Sequence, residues 1–461
     1  MDTSNFASPP NNLDIQLSRY EKYPGRSHSS PLKKGIWAYF ILLIFEGALR
    51  KWIVPGLATP LLIVRDPLAI WLFIMAWKRG LLNINIFIAG MFIISGIGFF
   101  TAIFWGHGNF MVALFGLRTL IVHWPVIFII GSIFDRDDVL KVGRFMVWLT
   151  IPMTILLIFQ FYSPQSAWVN RGVGGDIGGA GFVGVSDYFR PPATFSFTNG
   201  TGLFYCLSAC FVFYFWLSPQ KYIGKLLLIC ASIALLVAIP FSISRSLFFS
   251  VIVILGFSVM AISRQPKSAG RMIIATITIL ILFTALGRLG IFQTASKAFT
   301  MRFTTANETE GGLTGTLRDR YLGGMLDAIT NSNELPFFGY GIGMGTNVGS
   351  LLLTGENHFL IAEGEWGRLI GEMGILMGLG VIALRLALSF KILLACYKRL
   401  TIGDFLPWIL LSFCLLTLPQ GQWSQPTSLG FSIVAAGFTI ASLRRKKNAI
   451  NHPSNIDRKG I

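Results

Sequence analysis

The chain has 461 residues, of which 53% are hydrophobic and 13% charged, with a formal net charge of +17. A soluble domain carries about twice that charged fraction, which excludes a soluble globular protein. The basic residues fall in short connections between apolar runs, which argues against a nucleic-acid partner as the reason for the charge.

Residues 1–35 are polar and lack the apolar core of a signal peptide, so the first span is expected to stay uncleaved and the tail to be mobile. About twelve apolar runs follow, of the length that crosses a hydrocarbon core of roughly 30 Å. They lie near 36–54, 57–77, 83–104, 110–134, 144–162, 199–217, 223–241, 246–262, 272–289, 372–394, 405–419 and 426–442. The first is the weakest, because Glu46, Arg50 and Lys51 sit in its distal half. The predicted fold is all-α: a polytopic membrane domain over 36–443 with outer segments at 163–198 and 290–371, the second preceding the tenth span, and a basic tail over 444–461.

With a cytoplasmic N-terminus, the inner connections carry Lys33/Lys34, Lys78/Arg79, Lys221/Lys225, Arg264/Lys267/Arg271, Lys398/Arg399 and Arg444 to Lys447. That is the positive-inside pattern, and it places both termini in the cytoplasm. One inner connection, Asp135 to Arg144, is neutral because three acids cancel three bases. The five cysteines, Cys206, Cys210, Cys230, Cys396 and Cys414, all lie in predicted spans without a CxxC pair, and read as small helix-packing residues.

The first outer segment is rich in glycine from Gly172 to Gly184 and ends in Phe189-Arg190-Pro191-Pro192-Ala193-Thr194-Phe195, with Asn199-Gly200 opening the next span. Arg245 lies in a very short outer turn, Ser242-Ile243-Ser244-Arg245-Ser246, where the positive-inside rule gives no reason for a base. Arg50, Arg65, Arg118 and Arg288 also lie near outer span ends. For Arg50 and Arg65 the structural reading leads: an anchor to lipid phosphate, or a partner for a nearby acid. Glu46 precedes Arg50 by four residues, and Asp66 adjoins Arg65. For Arg190 and Arg245 a functional reading leads. Guanidinium groups suit phosphate because their planar fork makes two parallel bonds and their charge does not titrate away.

The stretch 289–372 is mostly polar and too long to be a passive connection. It holds Arg318 and Arg320, a turn Gly339-Tyr340-Gly341-Ile342-Gly343, and a charged, helix-like segment from Glu356-Asn357-His358 through Glu363, Glu365 and Arg368. Glu365, Arg368 and Glu372 follow helical spacing and share one face; their plain reading is an amphipathic helix with surface ion pairs. A base for an acceptor hydroxyl would come from Glu356, His358 or Glu363. The outer segments offer no His-x-x-x-His or DxD cluster and the chain has no P-loop, so neither a metal nor another cofactor is expected.

These landmarks, taken in order, resemble the O-antigen ligase and polymerase family of bacterial membrane glycosyltransferases. Arg190-Pro191 with Phe195 and Asn199 is similar to the arginine motif before the sixth span, and Ser244-Arg245-Ser246 to the Ser-Arg signature opening the eighth. Arg318 or Arg320 with Tyr321 and Ala328 resembles the arginine helix of the long loop, and Pro336 to Gly343 its Pro-x-x-Gly-x-Gly turn. Asn357, Leu360, Glu365 and Gly367 resemble the His-Asn stretch, and Glu372-Met373-Gly374 the start of the following span. The histidine of the His-Asn pair is replaced, by Glu356 or Glu363 according to the register, and Ala193 stands where glycine is usual.

The resemblance covers about residues 140 to 440. It implies a metal-independent, inverting transfer from a polyprenyl (undecaprenyl) diphosphate donor to a glycan acceptor at the outer face of a bacterial cytoplasmic membrane. A chain-length regulator or a flippase is the implied protein partner. Arg190 and Arg245 would bind the diphosphate, Arg318 or Arg320 would stabilise the leaving group, and Glu365 and Arg368 would shape the site. Loss of the His-Asn pair favours a polysaccharide polymerase over a ligase. A secondary transporter is the main rival; it would use Glu46, Arg65, Asp66 and Arg118 as a midplane site. A membrane scaffold would not need arginines at these places.

Overall fold

The computed structural model describes residues 30–185, 188–218, 223–264, 270, 287–288, 290–309, 335–356, 360–362 and 364–444. Residues 1–29 and 445–461 of the predicted tails, the ninth apolar run apart from residues 287–288, and the candidates Arg318, Arg320, His358 and Glu363 lie outside them, whereas residues 30–35 of the predicted N-terminal tail are helical. The chain is an all-α polytopic membrane protein. Its described helices of eight or more residues are α1 (Ser30–Ala48), α2 (Arg65–Lys78), α3 (Ile86–Phe104), α4 (Phe110–Ile121), α5 (Trp124–Ile133), α6 (Arg136–Tyr162), α7 (Thr198–Leu217), α8 (Lys225–Phe241), α9 (Arg245–Ser263), α10 (Gly290–Thr309), α11 (Asn347–Thr354), α12 (Glu365–Thr401), α13 (Phe405–Thr417) and α14 (Pro426–Ser442). Strands β1 (Phe182–Val185) and β2 (Tyr188–Arg190) form a small antiparallel hairpin. Seven helical segments among the described residues are long and apolar enough to cross a membrane, and α8, α13 and α14 are shorter apolar helices.

Helix α7 runs through the centre, packed by α6, α8, α9, α13 and α14. On the periphery, α2, α3, α9 and α12 turn large apolar side chains outward, among them Trp71, Ile97, Phe100, Ile252 and Leu376. A helix that is apolar on its buried and its exposed faces suits a hydrocarbon surround. Contact between helices relies on small residues, because lipid offers no hydrophobic penalty to drive association. Gly131 of α5 accommodates Ile440 of α14, and Gly437 of α14 accommodates Ile130 of α5. Four of the cysteines are buried and Cys230 is half-buried; all are free.

Ion pairs fasten one end of the bundle. Asp138, in the first turn of α6, binds Lys33 of α1 and Lys141, and Arg136 binds Asp404 before α13. Arg444 donates to the carbonyl groups of Ser132 and Phe134. The neutral connection at Asp135–Arg144 thus holds its acids for internal pairing. Asp135 also forms a capping box with Asp138 that starts α6.

The opposite end holds the long connections. The predicted segment 290–371 opens with helix α10, which packs on α8, α9 and the hairpin. Phe292, Ala295, Phe299 and Phe303 form its apolar stripe, and Phe299 and Phe303 meet Phe248 of α9 edge-on. The charged segment divides as well. Helix α11 stops at Gly355, which takes the left-handed conformation (φ 79°) that ends a helix, and α12 starts only at Glu365. Glu356 and Glu365 therefore do not share a helix.

The turn at 339–343 is seated against a break in α12. Gly339, Gly341 and Gly343 all have positive φ (73°, 109° and 92°). Gly374 departs from helical geometry (φ 75°, ψ 170°), and the N–H groups of Tyr340 and Gly341 donate to the carbonyls of Gly371 and Glu372 at 2.9 Å each. On its other side the turn lies on α4, where a Cβ on Gly116 would collide with the backbone of Ile342 and Gly343.

Gly116→Val is expected to unseat this turn and lower the melting temperature in detergent by many degrees, because backbone cannot move aside. Gly256→Ala, on open surface in α9, is expected to leave it unchanged or raise it, by up to about 1 kcal/mol of stability.

Candidate functional site

Three groups of polar residues lie in the half of the bundle with the long connections. The first is the surroundings of Arg190 and Arg245. Arg190 ends β2, paired with Phe182, and is followed by two prolines and Ala193. Arg245 is the first residue of α9, whose start is capped by the Ser244 hydroxyl accepting from the Leu247 N–H at 3.3 Å. Both arms meet the first turn of α7. Thr201 Oγ1 donates to the Pro191 carbonyl at 3.4 Å, and a Cβ on Gly202 would lie 3.8 Å from Ser244 Oγ. Helix α7 starts at Thr198, after an N-cap residue, Phe197, that makes no side-chain cap, so the positive end of its dipole lies beside these two arms.

Backbone strain marks the same two arms. Among the described residues, Ala193 (φ 51°) and Ile243 (φ 47°) are the non-glycine residues with positive φ. Each costs of order 1–3 kcal/mol and persists only where its surroundings fix it. For β-branched Ile243 the conformation is an outlier. Ala193 stands where the resemblance leads one to expect glycine, and its left-handed conformation is the one glycine adopts without cost.

The second group is a buried ion network at the start of α12. Arg368 donates to both oxygens of Glu365 (Nε to Oε2 3.0 Å, Nη2 to Oε1 2.9 Å) and to Glu372 Oε2 at 2.6 Å. The two parts of α12 fold against each other at the Gly374 break, Gly378 lying on the backbone of Ile370, and this brings Arg385 to Glu365 Oε1 at 2.7 Å; Arg385 also donates to the carbonyls of Leu418 and Gly421. The Trp423 N–H donates to Glu365, and the Gly345 N–H to Glu372. Glu365, Arg368, Glu372 and Arg385 are between 0% and 3% exposed. The shared face of Glu365, Arg368 and Glu372 is present, but its ion pairs are buried, because the connection 418–425 and the glycine turn cover that face. Arg385 was not singled out in the sequence. It sits in an apolar run, and a lone arginine there was the signal to follow. Glu356, by contrast, is exposed.

The third group lies inside the bundle between α1, α2, α4 and α5. Asp66 binds Arg118 and accepts a contact from His123 Nε2 at 2.9 Å, and His123 Nδ1 meets the Tyr39 hydroxyl at 2.9 Å. Glu46 binds Arg65 at 3.1 Å and Arg50 at 3.6 Å. Arg65 therefore pairs with Glu46, not with its sequence neighbour Asp66. Successive residues on a helix point about 100° apart, and Asp66 turns toward α4. The Glu46–Arg50 spacing predicts the pair that is found. Tyr39 and His123 are site members the sequence reading missed, since each looks like an ordinary residue of an apolar helix.

Glu365→Leu should leave Arg368 and Arg385 partly unpaired in the interior and destabilise the protein by about 3–5 kcal/mol. Thermal unfolding in detergent measures this, with the exposed Glu356→Gln as the control. Equal melting temperatures would mean that the network is dispensable.

No protein-family model matches the chain, and no curated protein matches it.

Proposed function

We propose that the chain is a membrane glycosyltransferase of the O-antigen polymerase and ligase type. It would transfer a glycan from a polyprenyl diphosphate to a glycan acceptor at the outer face of a bacterial cytoplasmic membrane, as a polysaccharide polymerase. One observation carries the reading: the two strained non-glycine residues flank the two arginines already singled out in the sequence, and both arms abut the uncapped start of α7. Strain held in place by its surroundings gathers at functional sites. Two arginines on chain segments that abut a helix N-terminus suit a diphosphate. Expelling that diphosphate from a sugar carbon requires its growing negative charge to be neutralised by fixed donors. The base remains one of Glu356, His358 and Glu363, and Arg318 or Arg320 the leaving-group stabiliser; Glu365 and Arg368 would fix the frame on which these loops stand.

Arg190→Ala, Arg245→Ala and Arg320→Ala are each expected to lower glycan product in cells by roughly 100-fold or more at normal membrane levels of protein. Normal product from all three variants would end this reading. With a purified lipid-linked repeat unit, a ladder of products identifies a polymerase and a single transfer product a ligase.

A secondary transporter is the second reading. The observation in its favour is that Glu46, Arg65, Asp66 and Arg118 meet inside the bundle. Asp66→Asn distinguishes the two. A transporter keeps its protein level and loses substrate accumulation, whereas the transferase loses melting temperature and retains product in proportion to the folded protein.

A further inference from the structure

The segment Pro191–Phe197 is non-helical backbone set deep in the bundle: residues 191–196 are buried. In a membrane such backbone persists only where protein satisfies its polar groups. At Ala193 this is done by side chains from two different helical segments. The Ala193 N–H donates to Gln160 Oε1 at 2.7 Å, and the Ala193 carbonyl accepts from Gln160 Nε2 at 3.2 Å. The same carbonyl accepts from Lys51 Nζ at 2.6 Å. Gln160 comes from the last turn of α6, and Lys51 from a π-helical turn, Leu49–Ile53, that continues α1. Lys51 is 1% exposed, and its ammonium group otherwise meets the Trp52 ring. Burying an ammonium group to hold one carbonyl is expensive, and an ionisable residue so placed marks a functional role.

Neighbouring contacts complete the hold. Thr194 Oγ1 donates to the Ile44 carbonyl at 2.8 Å, Arg50 donates to Ser196 Oγ at 3.1 Å, and Gly47 leaves room for the backbone of Thr194 to Ser196. Phe195 N–H donates to the Pro192 carbonyl at 3.0 Å, closing a turn whose second residue is the left-handed Ala193.

We propose that Gln160 and Lys51 are positioning residues, which together hold Ala193 in its left-handed conformation and so fix the course of the chain between Arg190 and the start of α7. Their effect on product rests on the transferase reading; their effect on the arm does not.

The test pairs each disruption with Ala193→Gly, since glycine takes positive φ without strain and should lessen the need for the clamp. Gln160→Leu and Lys51→Met are expected to lower glycan product by about 10- to 100-fold, as small misplacements do, with Ala193→Gly restoring a substantial part of it. The second readout needs no glycan. In a cysteine-free background carrying Arg190→Cys, maleimide should label position 190 several-fold faster with Gln160→Leu, and Ala193→Gly should return the rate toward its starting value. Unchanged labelling with Gln160→Leu, or a change that Ala193→Gly leaves as it is, would overturn the proposal. Labelling that follows the expected pattern while Arg190→Ala leaves glycan product normal would retain the clamp and discard the transferase.

Discussion

The dominant constraint on this structure is the need to satisfy carbonyl groups wherever the chain stops being helical inside the bundle. Hydrocarbon supplies no donors, so every break must be answered by protein. The answer recurs along the chain: a buried cation donates to a main-chain oxygen. Lys51 holds Ala193, Arg50 holds Ala58, Arg65 holds Pro426, and Arg385 holds Leu418 and Gly421. Arginine suits the task because its five N–H groups can serve a carboxylate and a carbonyl at once. Arg65 does so with Glu46 and Pro426, and Arg385 with Glu365 and two carbonyls. The carboxylate keeps the charge tolerable, and the remaining donors hold the loop.

That division explains which features could be read from the sequence. Long apolar runs set the spans because a bilayer has one thickness, and the helices found over the described residues follow the predicted runs. Helix α10 was hidden because its stripe of Phe292, Ala295, Phe299 and Phe303 is diluted by polar residues, and mean hydropathy does not register a stripe. The start of α12 at Glu365 was misplaced because Gly355 and Gly364 were passed over as breaks, although a left-handed glycine commonly ends a helix.

The cations posed a harder problem. In sequence, Arg50, Arg65, Arg118 and Arg368 carry the same signature as Arg190 and Arg245: a base close to a span end on the side that should lack one. In the fold the first four bind Glu46, Asp66, Glu365 and Glu372. The partners of Arg50 and Arg368 follow from helical spacing, at three or four residues. The others join helices distant in the chain, or depend on which way one side chain turns, and local pattern contains neither. What separates Arg190 and Arg245 is the backbone beside them. Ala193 and Ile243 adopt a conformation that no residue-type rule anticipates, although a glycine expected at 193 was a hint of it.

The interior network bears on the choice between transport and transfer through its wiring. Alternating access moves one part of a bundle against another about a central site. Here Asp66 is held by Arg118 and by His123, which in turn meets Tyr39; Glu46 is held by Arg65, which is tied to Pro426 at the head of α14. Rocking α1 or α2 away from α4, α5 and α14 would separate several of these pairs at once. Leaving a buried charge without its partner costs about 3–5 kcal/mol each time, and no single ligand contact is large enough to offset that sum. Gly430 adds a steric reason, since its missing side chain gives the Arg65 guanidinium its place on α14. A network joined in this way suits a fixed frame. Catalysis by positioned charges asks for such a frame, because donors that need no rearrangement at the moment of bond breaking stabilise the developing charge most effectively.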